Sequence, residues 1–136
     1  MALERLPQAS QMSEDKINSY IGELRFIRGL SYFYLVRYFG DIPLHIEENM
    51  SEYNIGKSSK DVIYELIESD LRFAVNNAPQ TPRLAGTPSV NSAKSLLGEV
   101  YATLDRYEES KQLLEEVINS GQYSLVTVSS AADFNN

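Results

Sequence analysis

The sequence contains no cysteine and no tryptophan, and it has a single histidine. Without cysteine there are no disulfides, no thiolate nucleophile and no zinc–thiolate site. Basic residues are in the minority, with 12 lysines and arginines against 19 acidic residues and a formal net charge of -7. Nucleic acids and anionic lipid headgroups both attract basic surfaces, so neither class of partner is favoured.

A long uncharged apolar run is also missing. The first ten residues contain no apolar stretch of signal-peptide length. No segment reaches the roughly 18 uncharged apolar residues of a membrane span, because the best candidate, residues 24–44, is interrupted by Arg25, Arg28 and Arg37. A transmembrane helix is therefore excluded, and 136 residues with 43% hydrophobic content suffice for one domain with a core.

The apolar residues recur at helical spacing in four segments, which predicts four helices. The first begins at Ser13, whose hydroxyl is a potential N-cap, and stops at Gly40 ahead of Pro43. From Phe26 onward its other faces also fill with apolar residues, which predicts a helix buried on most sides. Residues 41–46 should be extended and wrap back over the helices.

The other three helices are shorter and are separated by polar or proline-containing loops. A serine capping pattern marks the start of the second helix, and Gly121 marks the end of the fourth. They are expected to begin near Ser58 or Ser59 and end by Asn77, to run from about Asn91 to Leu104, and to run from about Tyr107 to Ser120. A further extended segment is expected at Tyr123 to Val128.

The third and fourth helices follow the 34-residue tetratricopeptide pattern, in which a small residue permits close helix crossing. The matching positions are Leu97, Gly98, Tyr101, Ser110, Leu114 and Val117. Gly29 and Tyr32 repeat the Gly98 and Tyr101 pattern two repeats earlier. The predicted fold class is therefore all-α, with tetratricopeptide-like stacked antiparallel helix pairs and short extended segments.

Few residues suit catalysis or metal binding. His45 lies close to Glu47 and Glu48, but no further ligand has recognisable metal-site spacing. Ser31 is available as a serine partner for His45, yet no nucleophile-elbow sequence is present. The sequence assigns no catalytic, metal or cofactor-binding residue, and we expect neither enzyme activity nor a cofactor.

Other charged and aromatic residues also have structural explanations. Glu108-Glu109 and Glu115-Glu116 are neighbours in sequence and are expected on a solvated helix face rather than across a catalytic cleft. The aromatic residues of the first helix could stack on sugars, but their helical spacing favours core packing. Its arginines need partners, and Asp70 is one candidate. Asn49-Met50-Ser51 matches the short glycosylation acceptor pattern.

Residues Gly22–Leu44, GELRFIRGLSYFYLVRYFGDIPL, resemble the signature helix of the SusD/RagB family of outer-membrane lipoproteins. The similarity continues through SSKDVIYELIESDLRFAV and AKSLLGEVYATLDRYEESKQLLEEVINSGQYSL, and loosely at Ala132-Asp133-Phe134. The residues that match the signature are Glu23, Arg25, Phe26, Arg28, Tyr32, Phe33, Leu35, Val36, Arg37, Phe39, Gly40, Asp41, Pro43 and Leu44.

The resemblance implies a helical scaffold from a surface protein that captures glycans or other nutrients and works with a SusC-like TonB-dependent transporter at the outer membrane. Binding would be non-covalent. Residues 1–136 would form one SusD-like helical domain, expected to be a fragment, because family members are several times longer and carry a lipoprotein signal. The signature aromatics Tyr32, Phe33, Tyr34 and Phe39 are assigned to packing, and ligand-binding residues remain unknown.

Two hypotheses stay open at this point. The first is the nutrient-binding, transporter-associated protein, and the second is a stand-alone tetratricopeptide-like adaptor that binds a peptide in its groove. If a larger domain normally covers the first two helices, the fragment should expose apolar surface there and self-associate or be marginally stable.

Overall fold

Residues 12–125 are described by a computed structural model of the chain. Within this range the fold is mainly helical and contains one very short antiparallel sheet. The elements, in order, are α1 (Glu14–Phe39), β1 (Ile42–Pro43), a 3₁₀ turn (Glu47–Asn49), β2 (Lys57–Ser58), α2 (Lys60–Asn77), α3 (Val90–Thr103) and α4 (Tyr107–Asn119). The four helices predicted from the sequence are confirmed, as is the all-α class.

The ends of α1 follow local backbone chemistry. Ser13 occupies the N-cap position, but its side chain makes no capping hydrogen bond, so that detail of the prediction is wrong. Glu14 and Asp15 instead place negative charge in the first turn, where the helix dipole is positive. Gly40 ends the helix with φ at 72°, a left-handed value that favours glycine, and donates its N–H to Val36.

Serine side chains cap the next two helices. The Ser59 hydroxyl accepts a hydrogen bond from the N–H of Val62 at the start of α2, as the sequence predicts. The Ser89 hydroxyl accepts one from the N–H of Ser92 at the start of α3, a cap that sequence analysis did not identify. Gly121, with φ at 67°, follows α4.

Contacts between distant residues show that successive helices run antiparallel. Gly22, early in α1, lies against the end of α2, and Gly29 lies against Leu71 nearer the middle of that helix. In the second pair, Gly98 of α3 contacts Leu114 of α4. The pairs α1–α2 and α3–α4 then meet through α2 and α3. This order confirms the tetratricopeptide-like stack of helix pairs.

The core is continuous across both pairs. Its buried apolar residues come from α1, β1, α2 and α3, and are Phe33, Val36, Ile42, Ile63, Ile67, Leu71, Leu96, Leu97, Val100 and Tyr101. α4 contributes only partly buried residues to this cluster, with Leu113 packed against it. Ser110 is its one buried residue. The small serine at that position permits the close crossing of α3 and α4 that the repeat pattern predicts.

The segment after α1 turns back along that helix, as the sequence predicts. β1 pairs with β2 in the register Ile42 with Ser58 and Pro43 with Lys57. The Tyr32 hydroxyl then holds the chain on α1, accepting from the His45 N–H and donating to the His45 carbonyl, both at 2.9 Å. The pairing with β2 was not predicted, because two-residue strands leave no periodic signal.

Two expectations fall wholly or partly outside the described residues. The extended segment Tyr123 to Val128 is described only as far as Leu125, and residues 123–125 have no regular secondary structure. The loose family match at Ala132-Asp133-Phe134 lies outside the described residues. Within residues 12–125, none of the helices is apolar over a length sufficient to cross a membrane.

Candidate binding surfaces

A buried carboxylate joins the first helix pair. Asp70 is completely buried on α2, and the Arg28 guanidinium of α1 donates to both of its carboxylate oxygens at 2.6 and 2.7 Å. The third Arg28 nitrogen donates to both oxygens of Glu47 at 2.8 and 2.6 Å. The predicted pairing of Asp70 with an α1 arginine is confirmed. Hydrogen bonds to Asp70 raise the pKa of Arg28, so the cation persists despite burial.

The N-terminal half of α1 is held by a second ion pair. Glu23, buried in α1, accepts from Arg83 of the loop between α2 and α3. The Arg83 guanidinium also lies 4.2 Å from the centre of the Tyr20 ring, a cation–π contact. These contacts fix the proline-rich loop to α1.

A third group of charges connects the two helix pairs. Glu68 of α2 accepts from Arg106, in the turn between α3 and α4, at 2.7 Å and from the Tyr101 hydroxyl at 3.1 Å. Burial pushes the pKa of Glu68 up, but hydrogen bonds from Arg106 and Arg72 outweigh it and lower the pKa. This junction was not predicted from the sequence, although the spacing of Glu68 and Arg72 at i, i+4 is a recognisable signal.

A shallow cleft of about 290 Å³ lies beside this junction, where α2, α3 and α4 meet. Its walls mix apolar side chains with charged and amide groups, and are formed by Arg72, Val75, Asn76, Leu97, Tyr101, Glu109, Gln112 and Leu113. Small-molecule pockets typically occupy about 300–1,000 Å³, so the cleft is at the lower limit of that range. The arrangement suits a contact with one or two side chains of a partner.

Two of the residues considered for catalysis, Ser31 and Glu47, make structural contacts. The Ser31 hydroxyl donates to the Ile27 carbonyl of its own helix at 2.8 Å. His45 is exposed, and the nearby Glu47 pairs with Arg28 instead. Among residues 12–125, no three His, Asp or Glu side chains gather in a way that suits a metal ion.

The glycosylation pattern at Asn49 meets a structural obstacle. The Asn49 amide donates to the Leu44 carbonyl at 2.8 Å and accepts from the Ile46 N–H at 2.9 Å. A glycan would replace one of the two hydrogens of this nitrogen, beside the contact that holds the 3₁₀ turn. The adjacent glutamates Glu108-Glu109 and Glu115-Glu116 are exposed on α4, which confirms the predicted solvated face.

The assignment of the α1 aromatics to packing is only partly right. Phe33 is buried at 1% exposure and Tyr32 is half-buried, but Tyr34 is 51% and Phe39 is 70% exposed in this chain. Ile27, Leu35 and Tyr38 are also exposed. The prediction of a helix buried on most sides is therefore wrong for this chain, because α2 covers one side of α1 and none of the described elements covers the opposite side.

The stacked helix pairs and the glycine-mediated crossings define a helical-repeat scaffold. Residues 1–102 match the model of the SusD-like family whose description is "Starch-binding associating with outer membrane". The chain belongs to this SusD-like family.

Curated relatives and solved structures agree with this family. SusD-like protein P2 of Formosa agariphila is 32% identical over 111 residues, which cover 79% of this chain and 22% of that protein. A SusD superfamily protein from Bacteroides vulgatus is 32% identical with a TM-score of 0.83, over 90% of this chain and 27% of that one. A laminarin-binding SusD-like protein is 34% identical with a TM-score of 0.75, over 85% of this chain and 26% of that one.

These relatives are much longer than the chain. The chain spans about a quarter of the length of each curated relative that it matches, with shares of 22%, 25% and 24%. The four-helix arrangement is thus shared with one part of larger SusD-like proteins.

Proposed function

We propose that the chain is the non-catalytic helical scaffold of a cell-surface protein that binds glycans or other nutrients. The observation that carries the proposal is the SusD-like family match over residues 1–102, joined to a fold that reproduces the same helical segment of a laminarin-binding relative. Residues 1–136 act as a single domain in this proposal. Its partner is a SusC-like TonB-dependent transporter, and its location is the outer-membrane surface.

The geometry supports a scaffold role rather than a complete sugar site. Sugar rings are bound by exposed aromatic faces with polar groups around them, in clefts that cover most of the ligand. The cleft beside Glu68 is small, and its buried ring, Tyr101, is already stacked by Arg106 at 4.1 Å. The proposal therefore assigns ligand binding to a longer protein and assigns to this chain the support of that site.

Affinity electrophoresis in gels containing laminarin, starch or xyloglucan tests the proposal. The longer protein encoded at the same locus should be retarded by at least one polysaccharide, and the 136-residue chain should migrate freely. Co-purification of a large TonB-dependent barrel with the longer protein tests the transporter partner, and protease accessibility on intact cells tests the location. No retardation by any polysaccharide, together with no barrel partner, would contradict the proposal.

The alternative is an adaptor that binds a peptide in the cleft between α2, α3 and α4. The mixed lining of that cleft favours it, since Leu97 and Leu113 offer apolar contacts and Arg72 a charge. In a pull-down with the 136-residue chain, the adaptor hypothesis predicts one enriched protein that is lost on Leu113→Asp. The exposed control Leu84→Asp should leave the enrichment unchanged. Absence of any enriched protein would exclude the adaptor hypothesis.

A further inference from the structure

Residues 44–56, which we call the strap, connect β1 to β2 and lie against α1. All of them are described by the structure, and each is either exposed or partly exposed. Leu44 packs against the edge of the core, but the strap adds no buried residue to it. At the tip, Tyr53 is completely exposed, and a Cβ placed at Gly56 would have no atom within 4 Å. The helices therefore gain little apolar burial from the strap.

The two ends of the strap are fixed close together at its base. The strands β1 and β2 pair directly before and after the strap, and Ile42 of β1 is buried in the core. The Asp41 carboxylate accepts a hydrogen bond from the Lys60 N–H at 3.1 Å, which joins the same base to the start of α2. A loop whose ends are fixed in this way can change its conformation without moving the helices.

Hydrogen bonds within the strap give it a turn of its own. The Asn49 side chain donates to the Leu44 carbonyl at 2.8 Å and accepts from the Ile46 N–H at 2.9 Å. The Asn49 N–H donates to the Ile46 carbonyl at 3.2 Å, and the Glu52 N–H donates to the Asn49 carbonyl at 3.0 Å. A single turn is unstable by itself in water, so these bonds form and break together with the attachment to α1.

Within the described residues, two side chains of α1 form hydrogen bonds with the strap. The Tyr32 hydroxyl makes two with the His45 backbone, and Nη1 of Arg28 makes two with the Glu47 carboxylate. The Tyr32 bonds are exposed, and the side chains of Arg28 and Glu47 are 17% and 25% exposed. Water can therefore replace these bonds when the strap leaves α1, at less cost than at a buried site.

Arg28 stays anchored when Glu47 leaves it. Its Nε and Nη2 donate to Asp70 at 2.6 and 2.7 Å, so the buried carboxylate keeps its cation whether or not Glu47 is in place. Opening of the strap breaks the contact of Nη1 alone. The costly event at a buried ion pair is the loss of one partner by the other, and that event does not occur here.

The loop between α2 and α3 provides the internal comparison. Ala78 and Ser89, at its two ends, are both buried. Its Arg83 pairs with Glu23, a carboxylate that is itself buried in α1. Release of this loop would leave Glu23 buried without its cation, which is costly. The second loop is therefore fixed to the helices in a way that the strap is not.

We propose that the strap is a conformational device that opens from α1 as one unit while the four helices stay folded, and that Glu47 is its latch. Opening uncovers the Tyr32 hydroxyl and Nη1 of Arg28. The open chain thus presents hydrogen-bonding groups on α1 that the closed chain occupies with its own residues. The proposal concerns the folded chain and depends on neither a glycan nor a transporter.

Amide hydrogen exchange of the 136-residue chain, measured by NMR at low urea concentrations, tests the proposal. The amides of His45 and Ile46 report on the strap, because they are bonded to the Tyr32 hydroxyl and the Asn49 side chain. The amide of Leu71, completely buried in α2, reports on the helices. Between 0 and about 1 M urea, exchange of the strap amides should stay constant and exchange of Leu71 should accelerate, because local opening exposes little surface and global unfolding exposes much.

Removal of the latch should accelerate opening of the strap alone. Glu47→Ala is expected to speed exchange of the His45 and Ile46 amides by about tenfold, although neither amide is bonded to Glu47, and to leave Leu71 unchanged. Glu48→Ala is the matched control, because Glu48 is the exposed neighbour in the same turn, and it should change none of the three rates. Unchanged strap amides in Glu47→Ala would overturn the proposal, as would an equal acceleration of Leu71.

A second variant tests whether the strap opens as one unit. Tyr32→Phe removes the other attachment and should speed exchange of the Ile46 amide, which is bonded to Asn49 and not to Tyr32, by a similar factor. An effect of Tyr32→Phe confined to the His45 amide would show separate local movements and contradict the proposal. Strap amides that accelerate with urea as steeply as Leu71 would also contradict it. A negative glycan-binding result leaves these measurements unaffected, so the two proposals fail separately.

Discussion

The two helix pairs of this scaffold are held together by different means. The interface between α1 and α2 contains a buried carboxylate, Asp70, whose two oxygens both accept hydrogen bonds from Arg28. A second buried carboxylate, Glu23, holds the loop between α2 and α3 on α1. The interface between α3 and α4 is formed mostly by close apolar packing, with Gly98 against Leu114. The ion pair of that interface, Lys94 with Glu116, lies at the partly exposed edge.

This difference predicts how each helix pair tolerates single substitutions. A buried ion pair adds little net stability. Removing only one of its two partners is nevertheless costly, because the remaining charge stays buried and has neither its partner nor water around it. A packed apolar crossing instead adjusts by small side-chain movements. We therefore expect the first pair to respond sharply to single substitutions and the second pair to respond gradually.

Removal of the Arg28 cation should produce the largest effect. Arg28→Met leaves Asp70 buried, with Arg25 as the nearest described cation at 3.9 Å. The expected loss is about 3–5 kcal/mol of unfolding free energy. Urea denaturation followed by circular dichroism at 222 nm measures it.

The control for this prediction is an exposed arginine of the same helix. Arg37→Met removes an ion pair whose two side chains are 46% and 56% exposed, and should cost less than about 1 kcal/mol. The double variant Arg28→Met with Asp70→Leu should recover part of the loss. Equal effects of the two arginine substitutions would show that the α1–α2 pair does not depend on its buried charge.

Alanine substitution of the glycines at the two helix crossings should change the stability by an intermediate amount. A Cβ at Gly22 would lie 2.9 Å from the backbone nitrogen of Ala78, which cannot move without shifting α2. A Cβ at Gly98 would lie 3.0 Å from the Leu114 side chain, which is 39% exposed and can rotate away. Since alanine favours a helix by about 1 kcal/mol over glycine, Gly22→Ala should cost a net 1–2 kcal/mol or so and Gly98→Ala about zero.

Thermal unfolding of both alanine variants measures this difference. Gly56→Ala is the control, because no atom lies within 4 Å of a Cβ placed there, and its midpoint should match that of the unsubstituted chain. If Gly98→Ala were less stable than Gly22→Ala, the α3–α4 crossing, and not the α1–α2 crossing, would be the rigid one.

The smallest effect is expected at the junction between the pairs. The folded-state pKa of Glu68 is lowered, so its contribution to stability is present above the ordinary carboxylate pKa of about 4.3 and is lost as the pH falls through the lowered value. Glu68→Gln should therefore cost about 1 kcal/mol at pH 7, and the difference from the unsubstituted chain should shrink below about pH 4.

Urea titrations at pH 7, 5, 4 and 3 follow this difference. Glu65→Gln, an exposed position on the same helix, should show no comparable pH-dependent loss. A difference between Glu68→Gln and the unsubstituted chain that stayed constant down to pH 3 would exclude the ionised Glu68 as the connection between the pairs.

Much of the fold could be predicted from residues close together in sequence. The periodic apolar residues of α2 and the glycine that follows α1 act locally, and both gave correct predictions. Gly98 and Leu114 were identified because a repeat pattern records a tertiary contact at fixed spacing. The junction of Glu68 with Arg106 was missed, because the two residues belong to different helix pairs and no spacing rule connects them.

The sequence by itself determined the helices, the Ser59 cap, the repeat architecture and the SusD-like family. Periodicity, capping residues and signature spacing are all properties of residues close together in the sequence. Only the tertiary structure decided which apolar residues are covered. α1 carries apolar residues all around, and composition cannot distinguish the side that packs on α2 from the side that the described residues leave open. Burial depends on the neighbours present, and within residues 12–125 the helices that pack on α1 lie on one side of it.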